Sequence, residues 1–245
     1  MDLVSVIIPT FNRFKYLLHA IKSVNEQTYK NIEIIVINDC STQENYYKYD
    51  FKKISGLKIF IVHLPKNSKD IFGFASPGGH ARNIGMMIAS GKYISFLDDD
   101  DYFLPTKIEK QIYAMKKYNS LISCTEAYAG YGSYNLNSKY KLYHCNIHWN
   151  TLQSIFGKNI DILNKMFQNE INIWSKKEIN IHNCTCGGSS IIIDKCLIQK
   201  AGYFPIMPRA DDYMYWKTLI NYSNCVALKE PLVYLDRNHG DGQNY

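Results

Sequence analysis

Four consecutive aspartates, Asp98–Asp101, are the residues of this chain whose type and spacing point most directly to chemistry. Adjacent carboxylates repel one another, so such a cluster at the end of a buried strand is costly unless a cation offsets the charge. Carboxylate oxygens suit hard cations such as Mg²⁺ or Mn²⁺, which also bridge substrate phosphates. In an enzyme that acts on a diphosphate, the metal would neutralise charge on the leaving group. The alternative is an acidic loop that caps the helix opened by Pro105.

A second acidic pair, Asp211-Asp212, lies where a helical pattern begins after Pro208-Arg209-Ala210. A carboxylate within hydrogen-bond reach of an attacking hydroxyl can take its proton as a general base. Adjacent helical residues point about 100° apart, so we expect only one of the two to face an acceptor. The other then serves as an ordinary acidic residue in the first turn of the helix.

The first half of the chain alternates strand and helix patterns that can hold these acids. Short apolar runs at Val4–Ile8, Ile34–Ile37 and Tyr93–Leu97 are typical of strands buried on both faces. Each run is followed by a polar cluster, in order Pro9–Arg13, Asn38–Thr42 and Asp98–Asp101. Ligands bind beyond the carboxyl ends of parallel strands. We therefore expect the three clusters to converge on one cleft.

The patterns predict an α/β fold with a mostly parallel central sheet and helices on both faces. We expect Asn12 to cap the first helix. The helix Ala81–Ser90 is expected to bury a face with Ile84, Met87 and Ile88. Further helices are predicted at Arg13–Glu26, Ile160–Phe167, Asp194–Ala201, Asp211–Ile220 and from Pro105 onward, the last with Ile108, Ile112 and Met115 facing inward. Further strands are predicted at Lys58–Val62, Ser189–Ile193, Val226–Leu228 and Leu232–Leu235. The rest of the stretch from about 130 to 183 is expected to be irregular.

Length and composition narrow the class of protein. A chain of 245 residues is long enough for one sizeable α/β domain. The net charge of +6 comes from scattered residues, so we expect no nucleic-acid partner; it fits a solubilising surface, or attraction to an anionic donor or a membrane surface. The odd number of cysteines, seven, favours a reducing compartment. We find neither a targeting peptide nor a membrane span, which favours a cytoplasmic protein, with peripheral membrane association left open.

One further segment, His182–Cys186, carries a histidine and two cysteines. Such side chains bind soft metals, but this segment lacks a second pair at zinc-finger spacing. We therefore do not count it among the predicted metal sites.

Four blocks of the sequence carry a family resemblance through their order and spacing. The first two are Val4–Arg13 and Asn38–Thr42. The third is His80–Gly85 followed by Ala89–Asp101, with Pro105 behind it. The fourth joins Gly187–Ser190, Gly202–Phe204 and Asp211-Asp212. This ordered set resembles the family 2 glycosyltransferases, which usually have other residues at Asn38, Cys40 and Asp211.

The resemblance covers roughly residues 3 to 240 and implies the GT-A fold. It implies a single domain over residues 1–245, with a nucleotide-sugar-binding half at about 1–105 and an acceptor-binding half at about 106–245. It also implies an inverting transfer by one direct displacement, with Mn²⁺ or Mg²⁺ as cofactor. The donor would be a nucleotide sugar, most commonly a UDP-sugar, and the acceptor a hydroxyl of a glycan, lipid or protein.

Donor-binding residues follow from the resemblance position by position. Those implied to lie against the donor are Thr10, Phe11, Arg13, Asp39, Arg82, Asp98 and Asp99. Among them, Asp39 would hydrogen-bond the base, while Asp98 and Asp99 would lie by the ribose and the metal. For Arg82 the alternative is a surface ion pair.

Metal ligands follow in the same way. Asp100 lies five residues before Pro105, as the family's metal-binding aspartate does. Asp98 and His239 are further candidates, because an imidazole near the end of the domain can complete a metal shell. A lone exposed histidine is the alternative for His239.

The general base is assigned to Asp211 or Asp212. Some relatives place the base five residues before a tryptophan that matches Trp216, which favours Asp211. Other relatives use the second acid of the pair.

Two other classes of protein stay open. A nucleotidyltransferase-like metal enzyme would use the same acidic site, although the chain has no GxxxxGK[ST] phosphate loop. A nucleotide-sugar-binding module without turnover would keep the fold, although acidic residues at both ends of the site argue against it. The sugar, the acceptor and the oligomeric state are not determined by these patterns.

Overall fold

The computed structural model describes residues 1–54, 56–74, 78–182 and 185–239. Within these ranges the strands are β1 (Val4–Thr10), β2 (Ile32–Asn38), β3 (Lys58–His63), β4 (Tyr93–Phe96), β5 (Tyr102–Phe103), β6 (Ile122–Gly130), β7 (Lys141–Leu142), β8 (Ile171–Trp174), β9 (Ile192–Asp194) and β10 (Cys225–Asp236). The helices are α1 (Phe14–Asn25), α2 (Asn45–Lys48), α3 (Ser68–Phe72), α4 (Gly79–Ile88), α5 (Lys107–Lys117), α6 (Trp149–Phe156), α7 (Ile160–Gln168), α8 (Lys176–Ile181), α9 (Cys196–Ala201) and α10 (Asp211–Leu219). Short turns of 3-10 helix lie at Phe51–Lys53, Gly188–Ser190 and Arg237–His239, and a π-helical turn at Tyr143–Ile147.

These strands join one sheet in the order β3-β2-β1-β4-β9-β6-β10-β5, with β7 beside β6 and β8 beside β10. The longest ladders, β1 with β2, β2 with β3 and β6 with β10, are parallel, as is β1 with β4. Shorter antiparallel ladders attach β9, β7, β8 and β5. The predicted α/β class is confirmed, and strands from both halves of the chain share the sheet.

Helices cover both faces of this sheet because its central strands are apolar on both sides. Val4, Val6 and Ile8 of β1 pack into a core with α1 and α5. Ile7 points the other way and packs into a second core with α4, α6, α7 and α10. This arrangement explains why the strands read as uninterrupted apolar runs.

The α4 helix lies close against β1 at one point. A Cβ atom on Gly85 would lie 2.4 Å from Cγ2 of Ile7, so a side chain at this position would push the helix away from the sheet. Arg82, one turn earlier, is thereby held at the edge of the sheet and is only 4% exposed. The close contact therefore sets the position of a predicted donor-binding residue.

The face that α4 buries differs from the prediction. Met87 and Ile88 are 58% and 46% exposed, whereas Met86 is buried and Ile84 is half-buried. Asn83 is buried as well, because its side chain pairs with the backbone of Phe204. The prediction was wrong because polar contacts and a glycine, rather than apolar residues alone, orient this helix.

The predicted N-cap was also wrong. Asn12 adopts a positive φ of 52°, and its Oδ1 accepts a hydrogen bond from the N–H of Thr42 at 2.8 Å. Arg13 occupies the cap position of α1, without a capping side-chain hydrogen bond. The Asn12 side chain therefore ties together the loops after β1 and β2.

The second half of the chain is more regular than predicted. Besides α7, the stretch from 130 to 183 contains β7, α6, β8 and α8. The two short strands predicted near the end form one strand, β10, whose register with β6 shifts on either side of Pro231. The strand predicted at Ser189 begins instead at Ile192, after a 3-10 turn. The predicted helices α5 and α10 are confirmed, with Ile108, Ile112 and Met115 buried in α5.

Among the described helices, none combines the length and the apolar composition that crossing a membrane requires.

Candidate active site

Three polar loops meet at one edge of the sheet. β1 runs parallel to both β2 and β4, so all three strands end on the same side. The backbone N–H of Asp39 donates to the carbonyl of Thr10 at 2.9 Å. Thr10 Oγ1 donates in turn to Asp99 Oδ2 at 2.7 Å. Thr10 thus links the loop after β2 to the aspartate run after β4, and the predicted convergence on one edge of the sheet is confirmed, although no residue of Asn38–Thr42 lines the cleft at this edge.

A cleft of about 570 Å³ opens at this edge. Seven of the residues singled out from the sequence line it, namely Arg13, Arg82, Asp98, Asp100, Asp101, Asp211 and Asp212. Its other walls include Tyr143, His144 and His148, from the stretch that was expected to be irregular. Residues from both halves of the chain therefore form one site.

Two arginines hold the exposed side of the aspartate run. Arg13 Nη1 donates to Asp100 Oδ2 at 2.8 Å and lies 3.3 Å from Asp99 Oδ1. Arg82 Nη2 donates to Asp98 Oδ1 at 2.5 Å. The Arg82 ion pair is buried rather than on the surface, since the arginine side chain is only 5% exposed.

The last aspartate of the run is buried and bonded to distant segments. Asp101 Oδ2 accepts a hydrogen bond from Ser189 Oγ at 2.5 Å, and Oδ1 accepts one from the N–H of Asp236 at 3.3 Å. Ser189 Oγ also accepts from the N–H of Asp98 at 3.0 Å. Asp101 therefore fixes the loop to the second half of the chain and is not placed to bind a ligand freely.

The aspartates carry more negative charge than their partners offset. Burial raises the pKa of Asp99 to about 6, against the opposing effect of Arg13. Burial and then repulsion from Asp99 and Asp98 raise the pKa of Asp100 to about 8. Burial and repulsion from Asp100 also hold the pKa of Asp101 well above its ordinary value. Each shift means that the ionised carboxylates are destabilised in this site.

The side chains of the cleft suit a divalent cation. Among the described residues that line it there are six carboxyl groups and three guanidinium groups, the latter from Arg13, Arg82 and Arg237. The surplus of carboxylate oxygen is the chemistry that Mg²⁺ and Mn²⁺ prefer. Asp100 fits a ligand role, because it lines the cleft and because burial and the neighbouring Asp99 and Asp98 raise its pKa despite its contact with Arg13.

The acidic pair at the start of α10 lies in the same cleft. Asp211 is 1% exposed, and its Oδ2 lies 3.9 Å from Arg82 Nη1. A Cβ on Gly79 would come within 2.4 Å of that same oxygen, so Asp211 Oδ2 lies directly against the start of α4. Asp212 is partly exposed, and its Oδ1 accepts from the N–H of Tyr213 at 2.6 Å. Burial raises the pKa of Asp211 to about 6 and raises that of Asp212, while Arg82 opposes both shifts.

The sequence matches the family model described as glycosyl transferase family 2 over residues 5–191. The chain belongs to this family. Two curated relatives from Escherichia coli, WfaP and WfgD, are both described as UDP-Glc:alpha-D-GlcNAc-diphosphoundecaprenol beta-1,3-glucosyltransferases. WfaP is 37% identical over 52% of this chain and 47% of its own length. WfgD is 27% identical over 92% of this chain and 73% of its own length.

The fold of this family 2 glycosyltransferase is also that of a solved relative. The Staphylococcus aureus TarS 1-349 structure in complex with UDP-GlcNAc superposes with a TM-score of 0.70 at 19% identity, covering 98% of this chain and 60% of TarS 1-349. The predicted GT-A fold and family are therefore confirmed. The chain spans less than half the length of several curated relatives that it matches, WfaP among them.

The residues predicted to bind the nucleoside of the donor are largely buried, and Asp39 is hydrogen-bonded within the protein. Asp39 is buried, and its carboxylate accepts hydrogen bonds from the N–H of Ser68 at 3.0 Å and from Asn67 Nδ2 at 3.2 Å. Burial raises the pKa of Asp39, while Ser68 lowers it. Thr10 and Asp99 are buried behind the cleft, and Phe11 is half-buried in the loop after β1. Their roles toward a nucleoside remain predictions.

Some candidate residues lie partly or wholly outside the described part of the chain, and some site residues were not predicted from the sequence. His239 ends the last 3-10 turn, and its side chain lies outside the described part of the chain. Asn183 and Cys184 of the segment His182–Cys186 lie outside it too. Ser189, Asp236 and Arg237 belong to the site but were not predicted as site residues, although Ser189 lay in a recognised block.

We expect the contribution of Asp99 and Asp100 to the stability of the metal-free protein to fall as pH rises from about 4 to 8. The folded-state pKa values of Asp99 and Asp100 lie above the usual carboxyl value, so the folded state binds more protons than the unfolded state in this interval. The stabilisation is complete below about pH 4 and is lost as pH rises through about 8. Urea unfolding with chelator present measures it.

Mn²⁺ or Mg²⁺ and the substitution Asp100→Asn serve as the two controls. Either change should make the unfolding free energy less dependent on pH. A bound cation offsets the negative charge of the Asp100 carboxylate, and the amide of Asp100→Asn removes that charge. A fall that persists unchanged in Asp100→Asn would show that Asp100 does not carry the effect.

Proposed function

We propose that this chain is a metal-dependent, inverting glycosyltransferase that moves a sugar from a UDP-sugar to a hydroxyl of a glycan carried on a lipid diphosphate. The donor class is supported by the UDP-Glc named for WfaP and WfgD and by the UDP-GlcNAc bound to TarS. The acceptor class is supported by the GlcNAc-diphosphoundecaprenol named for both E. coli relatives. Activity, donor and acceptor of this chain are inferred from these similarities together with the site.

The observation that carries the proposal is the pairing of two acidic groups across one cleft. Asp98 and Asp100, after β4, line the cleft together with Asp211 and Asp212, at the start of α10. Arg82 lies between them, within 2.5 Å of Asp98 and 3.9 Å of Asp211. A transferase of this type needs a cation-binding group for the diphosphate and a separate base for the acceptor, and one cleft provides both.

The residues that would hold the cation are Asp100 and Asp98, with His239 as a further candidate from the sequence. When bound, the cation would neutralise the negative charge of the departing diphosphate. Arg13 Nη1 lies 2.8 Å from Asp100 Oδ2, so its positive charge can also help to neutralise the diphosphate. Arg13 and Arg82 would also hold the donor phosphates in place, because guanidinium groups match phosphate oxygens in geometry.

Exposure distinguishes the two candidates for the general base. Asp211 Oδ2 is enclosed by Gly79 and Arg82, which leaves little room for an acceptor hydroxyl. Asp212 keeps part of its side chain exposed in the cleft. We therefore assign the base to Asp212, and to Asp211 the task of positioning Arg82 at the donor.

The reaction would follow as a single displacement at the anomeric carbon. The acceptor oxygen bonds to that carbon while its proton passes to the Asp212 carboxylate. The bond from the anomeric carbon to the phosphate oxygen breaks, and its electron pair leaves with UDP. Attack from the side opposite the leaving group inverts the configuration of the sugar.

A transfer assay tests the proposed function. With UDP-glucose or UDP-GlcNAc, Mn²⁺ and a GlcNAc-diphosphate lipid, we expect release of UDP and a product longer by one sugar. Excess chelator and Asp100→Ala should each abolish product, with the circular dichroism spectrum of the variant unchanged. Full activity in excess chelator would contradict metal dependence. Release of the sugar 1-phosphate, with UMP transferred to the acceptor, would instead indicate a nucleotidyltransferase, and donor binding without UDP release a module without turnover.

Paired substitutions test the assignment of the base. We expect Asp212→Asn to lower kcat by about a hundredfold or more while the Kd for UDP changes little, since a base acts on the acceptor proton. Asp211→Asn should change donor affinity more than kcat at saturating donor, because it alters the surroundings of Arg82. The reverse pattern would assign the base to Asp211, as the spacing to Trp216 favoured. If both variants keep kcat within a few-fold of the parent, the base lies elsewhere.

A further inference from the structure

A second group of side chains that could bind a metal ion shares no residue with the aspartate run. Glu126 on β6, His144 in the π-helical turn and Cys186 before the Gly187-Gly188 bend are all buried, with exposures of 4%, 3% and 0%. Their ligand atoms all lie within 4.8 Å of one another. These residues come from three separate segments, and nothing in the proposed reaction uses them.

The spacing of these ligand atoms is that of a tetrahedral metal site. Cys186 Sγ lies 3.1 Å from His144 Nδ1 and 3.3 Å from Glu126 Oε1, and Nδ1 lies 3.5 Å from Oε1. Ligands about 2.0–2.3 Å from a tetrahedral Zn²⁺ ion are separated by about 3.3–3.6 Å. Small adjustments of the side chains would therefore admit the ion.

The carboxylate is already held in place by the backbone. Glu126 Oε1 accepts hydrogen bonds from the N–H groups of Ala127 at 2.9 Å and His144 at 3.1 Å, and Oε2 accepts one from Cys145 at 3.2 Å. His144 Nε2 is buried without a hydrogen-bond partner among the described atoms. The carboxylate is thus oriented before any ion arrives, which lowers the cost of binding.

We propose that Glu126, His144 and Cys186 bind a structural zinc ion, with a fourth ligand completing the tetrahedron. On binding, the Cys186 Sγ–H bond breaks, its proton leaves to solvent, and a zinc–sulfur bond forms. One dication with one carboxylate, one thiolate and a neutral imidazole gives no net charge, which suits a fully buried site. A thiolate and an imidazole select zinc over the Mn²⁺ or Mg²⁺ that the all-oxygen aspartate run prefers.

The zinc would link the segments of His144 and Cys186, which form part of the cleft wall, to strand β6 of the sheet. His144, Gly187 and Gly188 line the cleft, while Glu126 belongs to β6 in the centre of the sheet. The bend at Gly187-Gly188 leads directly to Ser189, which bonds to Asp101 and Asp98. The ion would therefore join the segment after β7 and the segment before β9 to the central strand β6.

Zinc content of the purified chain tests this proposal independently of activity. The chain is purified without a metal-affinity tag and its metals are measured by mass spectrometry. We expect about one zinc per chain, a large loss in Cys186→Ser, and no change in Cys196→Ser, a matched control at an exposed cysteine of α9. Asp100→Asn should also keep its zinc, because the two metal sites share no ligand.

A second measurement keeps the proposal testable if Cys186→Ser fails to fold. Co²⁺ added to the chelator-treated parent should give a thiolate-to-cobalt absorption band, and Zn²⁺ but not Mn²⁺ should restore the Tm lost on chelation. His144→Gln should weaken both responses. A folded parent that holds no zinc and gives no cobalt band would overturn the proposal and leave a hydrogen-bonded triad. Equal zinc in the parent and in Cys186→Ser would overturn it too, since the ion would then lie elsewhere.

Discussion

Repulsion between carboxylates at the end of β4 is the constraint around which the rest of this site is arranged. Four adjacent aspartates lie where a strand buried on both faces ends, so water screens their charges poorly. The raised pKa values of Asp99 and Asp100 reflect the free-energy cost of ionising buried, adjacent carboxyl groups. A fold can tolerate it only if other segments bring positive charge and hydrogen-bond donors to the same edge.

Elements from the whole chain supply those groups. Arg13, at the cap position of α1, reaches Asp100 and Asp99, and Arg82 on α4 reaches Asp98. Ser189 and the backbone of Asp236 satisfy Asp101 from the second half of the chain. The partners remain fewer than the acids, and the proposed divalent cation would offset the remaining negative charge of the cleft. Binding of a metal would thus reduce the electrostatic repulsion between the aspartates of the folded chain.

Much of this arrangement could be predicted from local sequence. The runs Val4–Ile8, Ile34–Ile37 and Tyr93–Leu97 are apolar on both sides, which is a property of individual residues, and the polar clusters that follow them identify the binding edge. The orientation of α4 could not be predicted in the same way, because it depends on the contact between Gly85 and Ile7. Hydrophobic periodicity records side-chain type and contains no information about which backbone segments approach closely.

Site residues from the second half were missed for a related reason. Asp101 is bonded to residues 88 and 135 positions away, and such partners have no local signature. His144 lies in a π-helical turn within a stretch of weak periodicity, so its side chain gave no signal of facing the cleft. The difference in exposure between Asp211 and Asp212 could not be predicted either, since Gly79 and Arg82 enclose Asp211 from a distant segment.

The most direct test of the cation site is a crystal structure of the chain with UDP and Mn²⁺, measured at a wavelength where manganese scatters anomalously. The charge balance of the cleft predicts an anomalous peak bound by Asp100 and by the diphosphate, with Asp98 as a ligand or immediate neighbour. UDP bound in the cleft with no manganese beside Asp100, at saturating Mn²⁺, would contradict it.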